Sequence, residues 1–256
     1  MLKMSSKRNL WGGGVCVFLR SREEKGCCRF ISVKGDQRSE SERDLSKYPV
    51  LIRYNEALSI IEKVLSKTPN SLCPLASPLD PFGVPSKVRG QKFEDSSHLI
   101  RLYSSDGISY ISKKDLQKIG LLDKWKVVIS KVTAEHAMEP GKDGKFHVFT
   151  KTMKVLGPKE VCNFSYLAAG DFEAQSEAQN LEKYLKTKFT RFLVLQAVSS
   201  INLSRSSFQF VPMQDFSPSS DIPWERPLKD VEEALCKKYC LDSKDREFID
   251  SLIREW

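Results

Sequence analysis

The stretch Tyr184-Leu-Lys-Thr-Lys-Phe-Thr-Arg-Phe-Leu193 is the centre of the most regular pattern in the chain. From about Ser176 to Val198, apolar side chains recur three or four positions apart, at Leu181, Tyr184, Leu185, Phe189, Phe192, Leu193 and Leu195. Residues with this spacing lie on one face of a helix. The pattern predicts one long packing helix, in which Lys183, Lys186, Lys188 and Arg191 are partly structural.

Short strand patterns surround this helix and predict a mixed sheet. Alternating runs at 99–103 and 108–111 flank the pair Asp106-Gly107, which is a strong hairpin signal. Further strands are predicted at 50–53, 125–130, 146–150, 161–169 and 208–211. Shorter helices are predicted at 55–66 and at 112–119. Strands and helices in this order predict an α+β fold.

The two ends of the chain differ from this middle part. Near the beginning, 15–19 and 28–33 are predicted to form a strand pair, and the polar residues 34–47 a loop or linker. Five prolines predict an irregular loop at 68–90. Residues 227–256 are predicted to form a tail of two short amphipathic helices.

Composition narrows the class of protein. The 256 residues are 40% hydrophobic and 29% charged, which is typical of a globular chain that buries a core. No run approaches the roughly 20 apolar residues that span a bilayer, and Met1–Arg8 begins a poor signal peptide. The seven cysteines are scattered without a Cys-x-x-Cys pair, so no zinc site is predicted. We expect a cytoplasmic protein with no membrane association.

No motif for catalysis is complete. Adenine methylation needs a glycine-containing cofactor loop and an Asn/Asp-Pro-Pro-aromatic motif, and Leu79-Asp-Pro-Phe-Gly83 lacks the second proline. A metal-dependent nuclease needs converging acidic groups, and Asp80, Glu94 and Asp95 do not have that spacing. We predict neither catalytic residues nor metal ligands. Whether the chain is an enzyme stays open, and we do not expect it to be catalytic alone.

The positive charge is concentrated in the first 212 residues. They hold 34 Lys and Arg against 22 Asp and Glu, whereas residues 213–256 hold 7 against 11. A basic body suits duplex DNA, because Lys and Arg neutralise phosphates while Arg and Gln read base edges. The candidates lie in loop 82–92, in the hairpin and in loop 141–145: Lys87, Arg89, Gln91, Lys92, Arg101, Tyr103, Tyr110, Lys142 and Lys145. The alternative for each loop is a solvated charged surface.

Several stretches together resemble a known family. The most specific are Phe210-Val-Pro-Met-Gln-Asp-Phe216 and the segment from Tyr184 to Leu193 quoted above. Gly12-Gly-Gly-Val-Cys-Val-Phe-Leu19 resembles the closing strands of the catalytic domain in restriction–modification adenine-specific DNA methyltransferases. Val50-Leu-Ile-Arg-Tyr-Asn55 resembles the start of their target-recognition region, which continues through Lys131 and Gly141-Lys-Asp-Gly-Lys-Phe146. Collinear likeness extends to the C-terminal helices.

The resemblance implies a division of the chain and a role for it. Residues 1–35 would be remnant strands of a methyltransferase catalytic domain, 48–212 a DNA target-recognition domain and 213–256 an acidic helical tail. In the family the cofactor loop and the Pro-Pro-Tyr motif lie upstream of the Gly-Gly-Val-Cys strand, where this chain starts. S-adenosylmethionine therefore belongs to the family's catalytic half, and no cofactor is expected here. Lys131 joins the DNA-binding candidates through this resemblance.

The resemblance predicts a sequence-specific DNA recognition module of a restriction–modification system for N6-adenine DNA methylation. Its expected partners are duplex DNA and a catalytic methyltransferase or restriction subunit. Two alternatives stay open. One is a fragment of a bifunctional restriction endonuclease and methyltransferase, and the other is a protein-interaction remnant.

Overall fold

The computed structural model describes residues 17–19, 21–23, 26–34, 37–92, 99–135, 139–198 and 200–256. Within these residues the fold is α+β, with three small sheets and five α-helices. The predicted class is confirmed. The strands divide among three sheets where one mixed sheet was predicted, and one of the three combines parallel with antiparallel pairing. Of the predicted strand 15–19, the described part, 17–19, has no regular structure, and the rest lies outside the described residues.

The elements have the following bounds. The strands are β1 (Cys28–Lys34), β2 (Gln37–Arg43), β3 (Leu99–Ser104), β4 (Gly107–Ser112), β5 (Trp125–Ser130), β6 (Lys154–Leu156), β7 (Glu160–Cys162) and β8 (Tyr166–Phe172). The helices are α1 (Ala57–Lys67), α2 (Gln175–Lys186), α3 (Lys188–Ala197), α4 (Leu228–Lys238) and α5 (Ser243–Leu252).

The first sheet is an antiparallel pair of β1 and β2. The prediction of a loop at 34–47 is therefore wrong for Gln37–Arg43. This strand is polar on both faces, so no apolar alternation marks it in the sequence. Side chains of β1 and β2 interact with each other. Arg29 pairs with Glu40, and the Arg43 guanidinium lies 4.2 Å from the centre of the Phe30 ring.

The third sheet is the middle layer of the fold. It has the order β6-β5-β8, and the second sheet has the order β4-β3-β7. Successive side chains of β5 point to opposite faces. Accordingly, Val127 and Ile129 belong to the core that contains the helices, whereas Val128 packs with the second sheet and loop 82–92. The predicted hairpin of β3 and β4 and the predicted strand 125–130 are confirmed.

Several other predicted elements are wrong. Residues 50–53 and 208–211 form no strand, and Phe208 is the last residue of a 3₁₀ helix, Arg205–Phe208. At 146–150 the chain makes one bridge, from Phe146 to Ile253, and Val148 has a φ of 69°, which no strand accommodates. The predicted strand 161–169 divides between β7 and β8 in different sheets. The predicted helix 112–119 is a single 3₁₀ turn, Lys113–Asp115.

The predicted long helix is two helices, α2 and α3, separated at Thr187. The backbone of Thr187 is extended, with a φ of −62° and a ψ of 147°, and α3 begins directly after it. Almost all of α3 is buried, including Arg191, whose Nε donates to the Lys186 carbonyl oxygen at 3.0 Å. Lys188 forms ion pairs with Asp250 and Glu255. The charged side chains of this segment therefore hold helix ends and the tail in place.

The two predicted helices of the tail are confirmed as α4 and α5. Leu235, Tyr239 and Ile249 lie in the same hydrophobic core as α1, α2 and α3. The Tyr239 ring stacks on Phe189, with ring centres 5.1 Å apart. The tail thus shares its core with the residues before it, and the division of the chain into three domains stays a prediction. Among the described residues, none of the helices has the length and apolar character that crossing a membrane requires.

Candidate nucleic-acid interface

Loop 82–92 lies against the β3–β4 hairpin and is held by backbone hydrogen bonds at both ends. At its beginning, the Phe82 carbonyl oxygen accepts the N–H of Gln117 at 3.0 Å. At its end, Gln91 and Tyr110 exchange two backbone hydrogen bonds of 2.8 and 2.9 Å. In between, the N–H of Phe164 donates to the Val84 carbonyl oxygen at 2.8 Å. The loop therefore has a defined path although it contains no regular structure.

This path exposes the predicted candidates of the loop. Lys87, Arg89, Gln91 and Lys92 are all exposed. Arg89 forms an ion pair with Asp106, which lies in the turn between β3 and β4. Neither Lys87 nor Lys92 makes an ion pair with a described residue. The two lysines can therefore approach a polyanion without first leaving an acidic partner among those residues.

The three predicted candidates on the hairpin differ in how exposed their side chains are. Arg101 is exposed, and its Nη1 lies 2.9 Å from Glu160 Oε1. Tyr103 is only 9% exposed; its hydroxyl donates to the same Glu160 oxygen at 3.2 Å, and burial raises its pKa. The Lys154 ammonium covers the Tyr103 ring at 4.2 Å from its centre. Tyr103 is thus enclosed in this structure, whereas Tyr110 is half-buried.

Lys131 lies beside the same surface. Its Nζ is 3.0 Å from the centre of the Phe164 ring, and the backbone of Phe164 is bonded to Val84 at the beginning of the loop. Burial lowers the pKa of Lys131, and the charge of Asp80 opposes that shift. The structure therefore brings Lys131 together with loop 82–92 and the hairpin.

Lys142 and Lys145 lie elsewhere. Their turn is joined to the end of the chain, since Arg254 Nε donates to Asp143 Oδ2 at 2.8 Å and the N–H of Phe146 to the Leu252 carbonyl oxygen at 2.8 Å. The Arg254 guanidinium lowers the pKa of Asp143 to about 2. Phe146 belongs to the helix-containing core, not to the core beneath the hairpin. These two lysines are therefore not grouped with the other candidates.

Three further lysines border loop 82–92 and were missed in the sequence. Lys113 and Lys114 follow β4 directly, are exposed, and make no ion pair with a described residue. Lys118 is also exposed, and its Nζ donates to the Asp80 carbonyl oxygen at 2.9 Å. The adjacent lysines after the hairpin are a visible positive charge in the sequence. That they lie close to the loop depends on the contact between Phe82 and Gln117, which the sequence does not show.

We name this group the basic surface. It consists of Lys87, Arg89, Lys92, Arg101, Lys113, Lys114 and Lys118, on loop 82–92, the hairpin and the turn that follows it. Among the described acidic side chains nearby, Asp106 of the hairpin turn pairs with Arg89, Glu160 of β7 pairs with Arg101, and Asp115 accepts the Ser112 N–H. A surface with this excess of exposed cations attracts polyanions.

The described residues contain no group of three or more His, Cys, Asp or Glu side chains placed to hold a metal ion. In comparisons with known proteins, no protein-family model matches the chain and no curated protein is found that is similar to it.

Proposed function

We propose that this protein is a DNA recognition module of a restriction–modification system for N6-adenine methylation, and that it contacts duplex DNA through the basic surface. The observation that carries the proposal is the position of Lys87, Lys92, Lys113 and Lys114. All four are exposed, lie on adjoining segments, and make no ion pair with a described residue.

The side chains of the surface divide by what they offer to DNA. Lysines are point charges that neutralise phosphates and position a protein on the duplex. Arg89 and Gln91 carry the planar groups that can make paired hydrogen bonds to base edges. Gln91 is suited to this role because its backbone is fixed to Tyr110 while its side chain is exposed. We therefore assign phosphate contacts to the lysines and base contacts to Arg89 and Gln91.

The resemblance of the chain to restriction–modification adenine-specific DNA methyltransferases supports the assignment of the module to a system of that kind. A module of this kind supplies specificity, and methyl transfer from S-adenosylmethionine belongs to a catalytic partner. The partners proposed are thus duplex DNA and a methyltransferase or restriction subunit, and the proposed location is the cytoplasm.

The experiment is a fluorescence titration of a mixed-sequence duplex at several salt concentrations. Wild type is compared with a variant carrying Lys113→Ala and Lys114→Ala. Each lost phosphate contact reduces the slope of log affinity against log salt by about 0.9, so the double variant should lose up to about 2. The matched control carries Lys237→Ala and Lys244→Ala, which remove two exposed tail lysines and should leave the slope unchanged.

Two results would reject the proposal. The first is no binding by wild type even near about 50 mM salt, where phosphate contacts give measurable affinity. The second is an equal loss of slope in both double variants, because binding would then follow total charge and not this surface.

A second candidate function, docking on another protein, is favoured by one observation. Val17, Phe18 and Leu19 are 87%, 84% and 101% exposed. Adjacent exposed apolar side chains mark interaction sites or cause self-association. We infer that a catalytic subunit would cover them. Sedimentation should show self-association of wild type that Phe18→Ser with Leu19→Ser removes and that Leu45→Ser, at a 48% exposed leucine, does not. Monomeric wild type would count against docking here.

A further inference from the structure

A cleft of about 340 Å³ lies between Lys131 and the segment that follows α3. Its polar lining consists of Lys131, Ser200, Asn202, Ser204, Ser206 and Ser207, and none of the described Asp or Glu residues lines it. The lining thus supplies one positive charge and several side chains that can donate hydrogen bonds.

Backbone pairing fixes the two sides of the cleft relative to each other. The chain continues from β5 through Lys131 to Thr133, and this extension pairs with residues 201–203. The N–H of Leu203 donates to the Lys131 carbonyl oxygen at 2.7 Å, and the N–H of Thr133 donates to the Ile201 carbonyl oxygen at 2.9 Å. The backbone of Lys131 and the segment that leads into Ser204 are therefore held in a fixed relation, and both residues line the cleft.

Among the described residues, the Lys131 ammonium has no anionic partner at close range. Its contact is the face of the Phe164 ring, 3.0 Å from Nζ, and no carboxylate of the described residues lies within 4.0 Å. An aromatic face attracts a cation but accepts no conventional hydrogen bonds from its N–H groups. Partial burial lowers the pKa of Lys131, so a bound anion would offset an existing electrostatic cost.

The segment that follows α3 offers two hydroxyl groups, and that of Ser204 also accepts the Ser207 N–H as the cap of the 3₁₀ helix. Ser204 Oγ and Ser206 Oγ are 2.8 Å apart, and both residues are at least partly exposed. Each hydroxyl has one proton, so at most one of the two donates within this pair. Ser204, Ser206 and Lys131 all line the same cleft.

We propose that this cleft binds a phosphate group, with Lys131 forming the ion pair and Ser204 and Ser206 donating hydrogen bonds to its oxygens. A tetrahedral oxyanion accepts several hydrogen bonds at once, which matches one ammonium and two hydroxyls lining one cleft. The assignment of this group to DNA rests on the proposed function, whereas the anion chemistry of the cleft does not. DNA is favoured because Phe164, which contacts Lys131, is bonded through its N–H to Val84 of loop 82–92.

The test uses thermal unfolding of the full chain in inorganic phosphate, against sodium chloride of matched ionic strength. A ligand that binds the folded state raises Tm as its concentration passes Kd. Wild type and Lys151→Met, a control at an exposed lysine outside the cleft, should show the same rise. Lys131→Met, and separately Ser204→Ala with Ser206→Ala, should show a smaller rise. Exclusion of phosphate from the protein surface affects all variants alike and cancels in the comparison.

A second arm identifies the source of the phosphate. If the group belongs to DNA, Lys131→Met lowers duplex affinity and reduces the salt slope by about 0.9. If duplex binding is unchanged while the phosphate effect is lost, the ligand is a phosphorylated small molecule. If wild type binds no duplex but the phosphate effect still depends on Lys131, the proposed function fails and the cleft assignment stands. Equal phosphate effects in all variants overturn the assignment.

Discussion

The side-chain oxygen of Thr187 accepts a hydrogen bond from the backbone N–H of Thr190 at 3.2 Å, and its hydroxyl donates to the Tyr184 carbonyl oxygen at 2.7 Å. Thr187 is completely buried. One side chain therefore satisfies a carbonyl at the end of α2 and an N–H at the beginning of α3. The Tyr184 carbonyl oxygen also accepts the Thr187 backbone N–H at 3.1 Å, whereas the Thr190 N–H lies in the first turn of α3, where helix termini leave backbone groups unpaired.

Substitution Thr187→Ala should destabilise the protein. Loss of an N-terminal cap costs about 0.5 to 2 kcal/mol, and here a buried carbonyl also loses a donor. Urea unfolding monitored by circular dichroism measures the change. Thr187→Ser keeps the hydroxyl and should retain most of the stability that alanine loses. Equal losses for serine and alanine would show that the methyl group, not the cap, is what matters.

The same residue shows why part of the fold could not be predicted. The three-and-four spacing of apolar residues continues from α2 into α3 without a break, so periodicity alone predicts one helix. The break depends on a threonine whose capping role is visible only once the chain bends. In contrast, the hairpin, α1 and the tail helices are marked by local patterns and were predicted. The division of the predicted strand 161–169 into β7 and β8 could not be predicted, because β7 pairs with β3, which is distant in the sequence.

The candidate site was predictable to a similar degree. Composition and the Pro-rich spacing indicated an irregular basic loop at 82–92, and the structure places its charged residues at the surface. Which segments adjoin that loop could not be inferred, because this depends on non-local contacts such as Phe82 with Gln117. For the same reason, the sequence alone did not show that Lys113 is exposed beside the loop, or that the Tyr103 ring is covered by Lys154.

Because of the buried Lys126, we predict that the free energy of unfolding of the protein rises with pH. The residue is completely buried, its Nζ donates to the carbonyl oxygens of Lys124 and Gly157, and burial lowers its pKa to about 8. The unfolded chain keeps a lysine pKa near about 10.4, so between these values the unfolded state binds more protons. This group therefore adds stability as pH rises from 8 towards 10, and the addition is absent below pH 8.

The measurement is urea unfolding of wild type and Lys126→Met at pH 7 and pH 9.5. From pH 7 to pH 9.5, wild type should gain roughly 2 kcal/mol relative to the variant. The difference between the two proteins removes the contribution of other groups that titrate in this range. A difference that does not vary with pH would mean that Lys126 is hydrated and not buried.

At Gly90, we predict that an added methyl group disturbs the candidate interface. Its φ is +65°, and a Cβ there would lie 2.5 Å from the Tyr110 carbonyl oxygen, which accepts the Gln91 N–H. Gly90→Ala should lower stability by about 1 to 3 kcal/mol and also weaken duplex binding. Gly107→Ala is the control, because it introduces similar backbone strain at a φ of +109° with no atom within 4 Å.

Urea unfolding and the duplex titration together test this prediction. Gly107→Ala should lose stability while keeping its affinity for DNA, since its methyl group meets no other segment. If both variants bind duplex equally well, the pairing of Gln91 with Tyr110 does not position DNA-binding residues.

The Arg89–Asp106 ion pair predicts a substitution that strengthens DNA binding. Both side chains are just over half exposed, and such pairs contribute at most about 1 kcal/mol to stability. Asp106→Asn should therefore change unfolding little. It should release the Arg89 guanidinium for a phosphate or base edge, raise duplex affinity at low salt and steepen the salt slope by about 0.9. Asp171→Asn removes an equal charge at an exposed residue of β8 and should have a smaller effect.

A double-mutant cycle decides whether Arg89 is the group released. In protein that already carries Arg89→Gln, Asp106→Asn should add much less affinity than it adds to wild type, because the two side chains act as a pair. Additive effects of the two substitutions would mean that Asp106 acts only through its own repulsion of the duplex. Arg89 would then be no contact, and the lysines alone would account for binding at this surface.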